Sequence, residues 1–176
     1  MKLHFGCGNE HLKGYVNCDV SKQVNPDKIV DLEKPLPFED NSVDEIVINH
    51  TLEHINNFIP LMKEMFRINK NGSIIQGKVP LYCSVGAFQD PTHVRFFTPF
   101  TFDYFGNNSF SYEVGFGDGY FSIIEIKLKY SFGNSFFKMN WLMNPIINLN
   151  HRIYCKLFAW VFPASEMSFK LKVVKK

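Results

Sequence analysis

Gly6 and Gly8 stand one residue apart, directly after the short apolar run Leu3-His4-Phe5. A glycine pair there lets the backbone turn sharply, and lets another group approach the main chain with no Cβ in the way. Asp19 and Asp31 each close a further short apolar run. Two acceptor-only carboxylates therefore sit where strands are expected to end. His50-Thr51-Leu52-Glu53-His54 formally matches H-x-x-E-H. In that pattern two histidines on one helix face hold a zinc ion and the glutamate is a base. Asp90 and His93 share a stretch rich in loop-forming residues. A histidine that titrates near neutrality, oriented by a carboxylate, is the usual arrangement of a general base.

The elements that must position these groups follow from apolar patterning. Lys2–Phe5, Tyr15–Val20 and Asp27–Leu32 read as short buried strands, and Val43–Asn49 is the clearest one. Pro35-Leu36-Pro37 forces an extended loop. Leu52, Ile55, Ile59, Met62 and Phe66 recur at helical spacing. Pro60 interrupts them, which predicts either a kink or a turn over 51–55 followed by a helix from about Asn57 with Pro60 in its first turn. Thr51 is a candidate N-cap and Asn71-Gly72 the expected stop. A strand over Ser73–Pro80 precedes a loop from Leu81 to Thr98 that carries Asp90 and His93. Loops of that length in compact domains usually serve function. Pro99–Phe105 reads as a short helix and Tyr120–Tyr130 as a strand. Trp141–Phe162 should be helical after Pro145, and Met167–Val174 should be a closing strand. Strands alternating with helical patterns predict an α/β fold with a mostly parallel sheet, whose ligands bind beyond the carboxyl ends of the strands.

Composition narrows the function classes. The chain has 176 residues and a formal net charge of +2, from 19 basic and 17 acidic residues. That length suits one domain, 1–176, and that balance argues against a nucleic-acid partner. The four cysteines, Cys7, Cys18, Cys83 and Cys155, form no C-x-x-C pair, so free thiols in a reducing cytoplasm are expected. No signal peptide is expected before Gly6, and the apolar stretch from Phe136 to Ala164 is too interrupted by polar residues to span a membrane. A homodimer is plausible where thin helix cover leaves aromatic surface exposed.

Several segments in order carry a family resemblance. They are His4-Phe5-Gly6-Cys7-Gly8-Asn9, Gly14-Tyr15-Val16-Asn17-Cys18-Asp19, Asp31-Leu32, Leu36-Pro37-Phe38 with Asn41-Ser42-Val43-Asp44-Glu45-Ile46, and His50-Thr51-Leu52-Glu53-His54. Together they resemble the class I S-adenosylmethionine-dependent methyltransferases, in a compact branch (methyltransferase type 11-like) often found near polysaccharide genes. Asp90-Pro91-Thr92-His93 and Phe162-Pro163-Ala164 are similar to later segments of that branch. The resemblance implies a Rossmann-like sheet with an antiparallel last strand and S-adenosyl-L-methionine as cofactor. The backbone at Gly6, Cys7 and Gly8 would pass the carboxypropyl end of the cofactor. Asp19 would accept from the ribose hydroxyls, and Asp31 from the adenine amino group beside the Leu32 N–H. Asn49 and His50 would offer main-chain carbonyls to the ammonium. The implied reaction is methylation of an oxygen or nitrogen of a small acceptor, possibly a sugar or polysaccharide precursor. His93 is the first candidate base, with Asp90 orienting it, and His50 the second.

Two departures from the family pattern stand out. An acidic residue often lies two positions before the first glycine, where this chain has His4. Only Asn9–Gly14 separates the glycine turn from the second strand. An extended segment of that length reaches about 20 Å, just enough to span back along a strand of about 17 Å. A helix does not fit, so reduced helix cover is expected in the first half of the sheet.

Plainer readings stand beside these. Asp90 could simply open a turn, and Arg95 could pair with a carboxylate. Phe96, Phe97, Phe100, Phe102, Phe105, Phe110 and Phe116 could be packing. Lys170, Lys172, Lys175 and Lys176 read as a solvated strand edge. A catalytically inactive cofactor-binding or scaffold protein is the alternative function. A zinc peptidase is disfavoured because His50 abuts a strand, so helical spacing to His54 fails; Glu113 or Glu125 would have to be the third ligand. No metal is assigned. A nicotinamide-dependent enzyme is disfavoured because His11 replaces the third glycine of G-x-G-x-x-G.

Overall fold

The computed structural model describes residues 1–107, 119–130 and 137–175. Phe110, Glu113, Phe116 and Lys176 lie outside the described residues. Among these residues the strands are β1 (Lys2–Phe5), β2 (Val16–Asp19), β3 (Lys28–Ile29), β4 (Val43–Asn49), β5 (Asn69–Pro80), β6 (Gly119–Lys129) and β7 (Glu166–Lys175). They form a seven-stranded sheet in the order β3-β2-β1-β4-β5-β7-β6. Strands β1 to β5 pair in parallel, and β7 runs antiparallel to both β5 and β6. This is the expected α/β sheet with an antiparallel last strand. The expected edge position of the lysine-bearing tail is wrong. β7 is inserted between β5 and β6, with Met167, Phe169, Leu171 and Val173 buried, and the Lys175 ammonium donates to the Asn41 side chain and the Arg67 carbonyl.

Helices α1 (Phe58–Ile68), α2 (Val85–Gln89) and α3 (Phe137–Leu149) accompany the sheet, and a short α4 (His151–Ile153) runs into a wide turn over Tyr154–Phe158. α1 starts after Asn57 with Pro60 in its first turn, where a missing N–H costs nothing. Phe58, Leu61, Met62, Met65 and Ile68 place one face in the core, at about 2 kcal/mol for each side chain buried. α1 stops at Ile68, earlier than Asn71-Gly72. The buried Asn69 side chain donates to the Met65 carbonyl, and its oxygen accepts from Ser73, which turns the chain directly into β5. α2 lies inside the expected loop because Ser84 caps it, accepting from the Ala87 N–H. α3 begins before Pro145 rather than after it. Asn144 and Asn148, one turn apart on α3, accept from the Tyr130 and Leu128 N–H groups and so satisfy the outer backbone of edge strand β6. No helix among the described residues is long and apolar enough to cross a membrane.

The first half of the sheet carries little helix, as the short connections require. Between β1 and β4 the only helical segment is a three-residue turn, Lys22–Val24. A polar knot replaces the missing helices. The buried Asn17 amide accepts from the Leu12 N–H at 2.8 Å and donates to Asp27 Oδ2 at 2.9 Å, while the Asn17 N–H also donates to Asp27 at 2.8 Å. His4, opposite Asn17 in the β1–β2 register, puts Nδ1 3.3 Å from Asn17 Oδ1. β2 and β3 are shorter than the apolar runs suggested, and Asp31 lies two residues beyond β3.

Candidate functional site

The carboxyl ends of β1, β2 and β4 and the loop after β3 enclose a cleft of about 480 Å³. Gly6, Gly8, Asp19, Asp31, Leu32 and His50 all line it, with Val20, Val30 and Ile55 as apolar wall. Both aspartates thus reach the same rim. Asp19 Oδ2 accepts from the Gly8 N–H at 2.9 Å, and Oδ1 from the Ser21 N–H at 2.9 Å. Each oxygen keeps acceptor capacity for a second donor. Asp31 accepts from the Glu33 N–H and pairs with Lys34 at 2.9 Å; both interactions hold its carboxyl below the ordinary value.

The two glycines do different things. Gly6 has φ +61, and a Cβ there would fall 2.1 Å from Thr51 Oγ1, so its bareness serves contact with the turn after β4. Gly8 has φ +49, and a Cβ there would meet nothing within 4 Å. The open space next to the main chain is therefore at Gly8. Cys7, expected beside the cofactor, is not among the residues lining the cleft: its side chain is buried, its N–H donates to the Cys18 carbonyl, and its own carbonyl accepts from the Glu10 N–H. Thr51 does not cap with its side chain; its hydroxyl donates to the Asn49 carbonyl at 2.8 Å. His4 faces Asn17 in the β1–β2 interior, so the position that carries an acid elsewhere supplies structure here.

A second cleft, of about 800 Å³, adjoins the first. His50 and His54 line both. The second cleft is polar and ionic, lined by Glu53, Asp90, His93, Lys129 and Glu166. His50 has φ +46. Its Nε2 lies 2.9 Å from Glu166 Oε2, and its Nδ1 lies 3.6 Å from Glu53 Oε1. These two carboxylates raise its pKa to about 9, so His50 is an imidazolium at neutral pH and a proton donor rather than a base. The geometry of H-x-x-E-H is absent, since His50 turns to β7 while His54 turns to His93, ring centroids 4.7 Å apart.

The loop carrying Asp90 and His93 is bound down onto the site. The Glu53 carbonyl accepts from the Val94 and Arg95 N–H groups at 2.9 and 3.2 Å. His93 Nδ1 lies 3.0 Å from the Ala87 carbonyl, which can only accept, so Nδ1 carries the proton and Nε2 the lone pair. Nε2 lies 3.9 Å from Asp90 Oδ2. Asp90 is anchored in turn by the Thr92 N–H and hydroxyl, which hold its carboxyl below the ordinary value. Glu53 and His54, expected as a network at a helix start near the cofactor, line the second cleft, whereas the sequence reading missed Glu166 and Lys129. Glu166 gave no signal, because the antiparallel insertion of β7 brings it 116 positions back to His50.

Residues 3–76 match a family model described as a methyltransferase domain. The fold is that of the class I S-adenosylmethionine-dependent methyltransferases. An S-adenosylmethionine-dependent methyltransferase from Archaeoglobus fulgidus superposes with a TM-score of 0.59 at 19% identity, over 97% of this chain and 85% of that one. A [4+2]-cyclase, SpnF, superposes with a TM-score of 0.59 at 15% identity, over 99% of this chain and 75% of that one. A phosphoethanolamine N-methyltransferase from Haemonchus contortus, bound to phosphomonomethylethanolamine and S-adenosylhomocysteine, gives a TM-score of 0.57 at 13% identity, over 99% of this chain and 49% of that one. No curated protein matches the sequence. S-adenosylmethionine is the cofactor of this fold family, and the rim cleft fits it. Gly8 leaves open space beside the main chain, Asp19 presents two oxygens with spare acceptor capacity, and Val20, Val30 and Ile55 add an apolar wall.

Proposed function

We propose that this chain binds S-adenosylmethionine in the rim cleft and catalyses methyl transfer to an oxygen or nitrogen of a small polar acceptor in the adjoining cleft. The observation that carries this reading is the shared wall: His50 and His54 border both clefts, so a group held in one opens onto the other. When bound, the cofactor supplies a methyl group already activated by its sulfonium. Asp19 accepts from the ribose hydroxyls and Asp31 from the adenine amino group beside Leu32. The backbone at Gly6 and Gly8 borders the amino-acid end, and the Asn49 and His50 carbonyls receive its ammonium. The ionic lining of the second cleft favours an acceptor rich in hydrogen-bonding groups, such as a sugar or a polysaccharide precursor. His93 Nε2 takes the proton from the acceptor hydroxyl; the Ala87 carbonyl, not Asp90, orients the ring through Nδ1, and Asp90, 3.9 Å from Nε2, stabilises the resulting imidazolium. Alignment of acceptor and donor, rather than covalent chemistry by the protein, supplies most of the acceleration. All four cysteines are free, which suits a reducing cytoplasm.

Incubation with S-adenosylmethionine and a panel of free and nucleotide-linked sugars, with S-adenosylhomocysteine as readout, tests this reading. Acceptor-dependent turnover supports it. A second reading is a cofactor-binding protein without transfer activity, favoured by the likeness to a cyclase of the same fold and by His4 in the acid's place. S-adenosylhomocysteine binding with no product from any acceptor would select that reading.

A further inference from the structure

Glu53 and His54 take no part in the transfer chemistry described above, yet their placement is specific. One ligand atom from each of Glu53, His54 and His93 lies within 4.8 Å of the other two. Glu53 is 1% exposed, and its Oε2 is buried with no hydrogen-bond partner. An unsatisfied buried carboxylate oxygen is costlier still than an unsatisfied neutral polar group. The His50 ring nitrogen lies 3.6 Å from the other oxygen, Oε1, but Oε2 has no partner, and a cation in the cleft would satisfy it.

The two imidazoles are prepared for such a group. His93 donates from Nδ1 to the Ala87 carbonyl at 3.0 Å, which leaves Nε2 with its lone pair. Thr92 commits its hydroxyl proton to Asp90 Oδ1. Its oxygen, 2.9 Å from His54 Nδ1, must then accept from that ring, which also leaves Nε2 of His54 with a lone pair. Outer partners that fix ring tautomers in this way are the usual companions of histidine ligands to metals.

We propose that Glu53, His54 and His93 form a divalent transition-metal site in the second cleft. Two imidazoles and one carboxylate suit manganese, iron, cobalt or zinc rather than calcium or magnesium. Ligand atoms at about 2.1 Å from one ion lie at most about 4.2 Å apart, so small side-chain rotations close the set around it. Three protein ligands leave coordination positions open to the cleft, where an acceptor hydroxyl or carboxylate oxygen can enter. That last use rests on the methyltransferase reading; the ion site does not. With an ion bound, His93 is a ligand rather than a base.

The test uses the full chain, dialysed against EDTA and then against chelator-free buffer. Calorimetric titration with manganese chloride, and separately with zinc chloride, is expected to show one ion per chain. Glu53→Gln, which keeps the side-chain shape, and His54→Ala are each expected to weaken binding more than tenfold. Imidazole proton resonances of the wild type give a second readout that needs no variant: those of His54 and His93 should shift with added zinc chloride while those of His11 and His151 stay. Absence of saturable binding, equal binding by wild type and Glu53→Gln, or shifts confined to other histidines would overturn the proposal. S-adenosylhomocysteine binding, measured on the same EDTA-treated protein, reports on the methyltransferase reading separately.

Discussion

The N–H of Gly8 donates to Asp19 Oδ2 at 2.9 Å, which joins the glycine turn after β1 to the carboxylate that ends β2. One hydrogen bond thus fixes the spacing between two features that border the rim cleft. The bond orients a carboxylate that must also face outward, and it leaves Gly8 as the point where the main chain is bare.

Gly8→Ala is expected to abolish or strongly weaken S-adenosylhomocysteine binding. Gly14→Ala is the matched control. Both positions have positive φ and open space around them, +49 for Gly8 and +84 for Gly14, but only Gly8 borders the cleft. Each substitution should cost about 1–2 kcal/mol of stability from backbone strain. Denaturant melts should show similar losses, and calorimetry should show a binding loss for Gly8→Ala alone. Similar binding by both variants would remove Gly8 from the cofactor wall.

His50 and Glu166 give a pH dependence with a definite sign. The carboxylates raise the folded-state pKa of His50 from 6.5 to about 9. A raised histidine pKa stabilises the folded state fully below the unfolded value of 6.5, and that stabilisation is lost as pH rises through about 9. Half of the His50 side chain is exposed, so the effect is modest. Thermal melts of wild type and Glu166→Gln should differ most near pH 6.5 and converge above about 9. A constant gap across that window would show that the pair does not titrate as described.

His93→Ala should lower turnover by at least tenfold with little change in S-adenosylhomocysteine affinity. Of the two clefts His93 lines only the second, where its Nε2 lies 3.9 Å from Asp90 Oδ2. Steady-state kinetics with a responsive acceptor, beside calorimetry, separates the two quantities. Unchanged turnover would take His93 out of the reaction, as base and as ligand alike.

Much of this arrangement was legible in the residues. Continuous apolar runs marked β1 and β4 to the residue, because buried parallel strands leave little choice of side chain. Asp19 was visible as a strand-end carboxylate, Asp31 only as one near a strand that ends two residues earlier, and the six residues Asn9–Gly14 as too few for a helix. What was not legible depends on long-range pairing. Asn17 looked like one polar residue in a strand, yet it ties His4, Leu12 and Asp27 together. Glu166 meets His50 only because β7 inserts antiparallel beside β5. His54 and His93 meet because the loop after β5 folds back onto the Glu53 carbonyl, a backbone contact with no sequence signature.

Asn17→Ala should destabilise the chain by about 1–3 kcal/mol. It would leave the part-buried Leu12 N–H without its amide partner, at about that cost. Urea denaturation measures this directly. A loss under about 0.5 kcal/mol, the size of an ordinary surface change, would show that the polar knot does not hold the helix-poor half together.

The most direct measurement is calorimetric titration of the wild type and Asp19→Asn with S-adenosylhomocysteine. The wild type should bind one molecule per chain, and Asp19→Asn more than tenfold more weakly, since a carboxylate that accepts hydroxyl hydrogen bonds contributes about 1.5–3 kcal/mol for each. No saturable binding by the wild type, or equal affinity in the two proteins, would contradict the assignment of the rim cleft to the nucleoside.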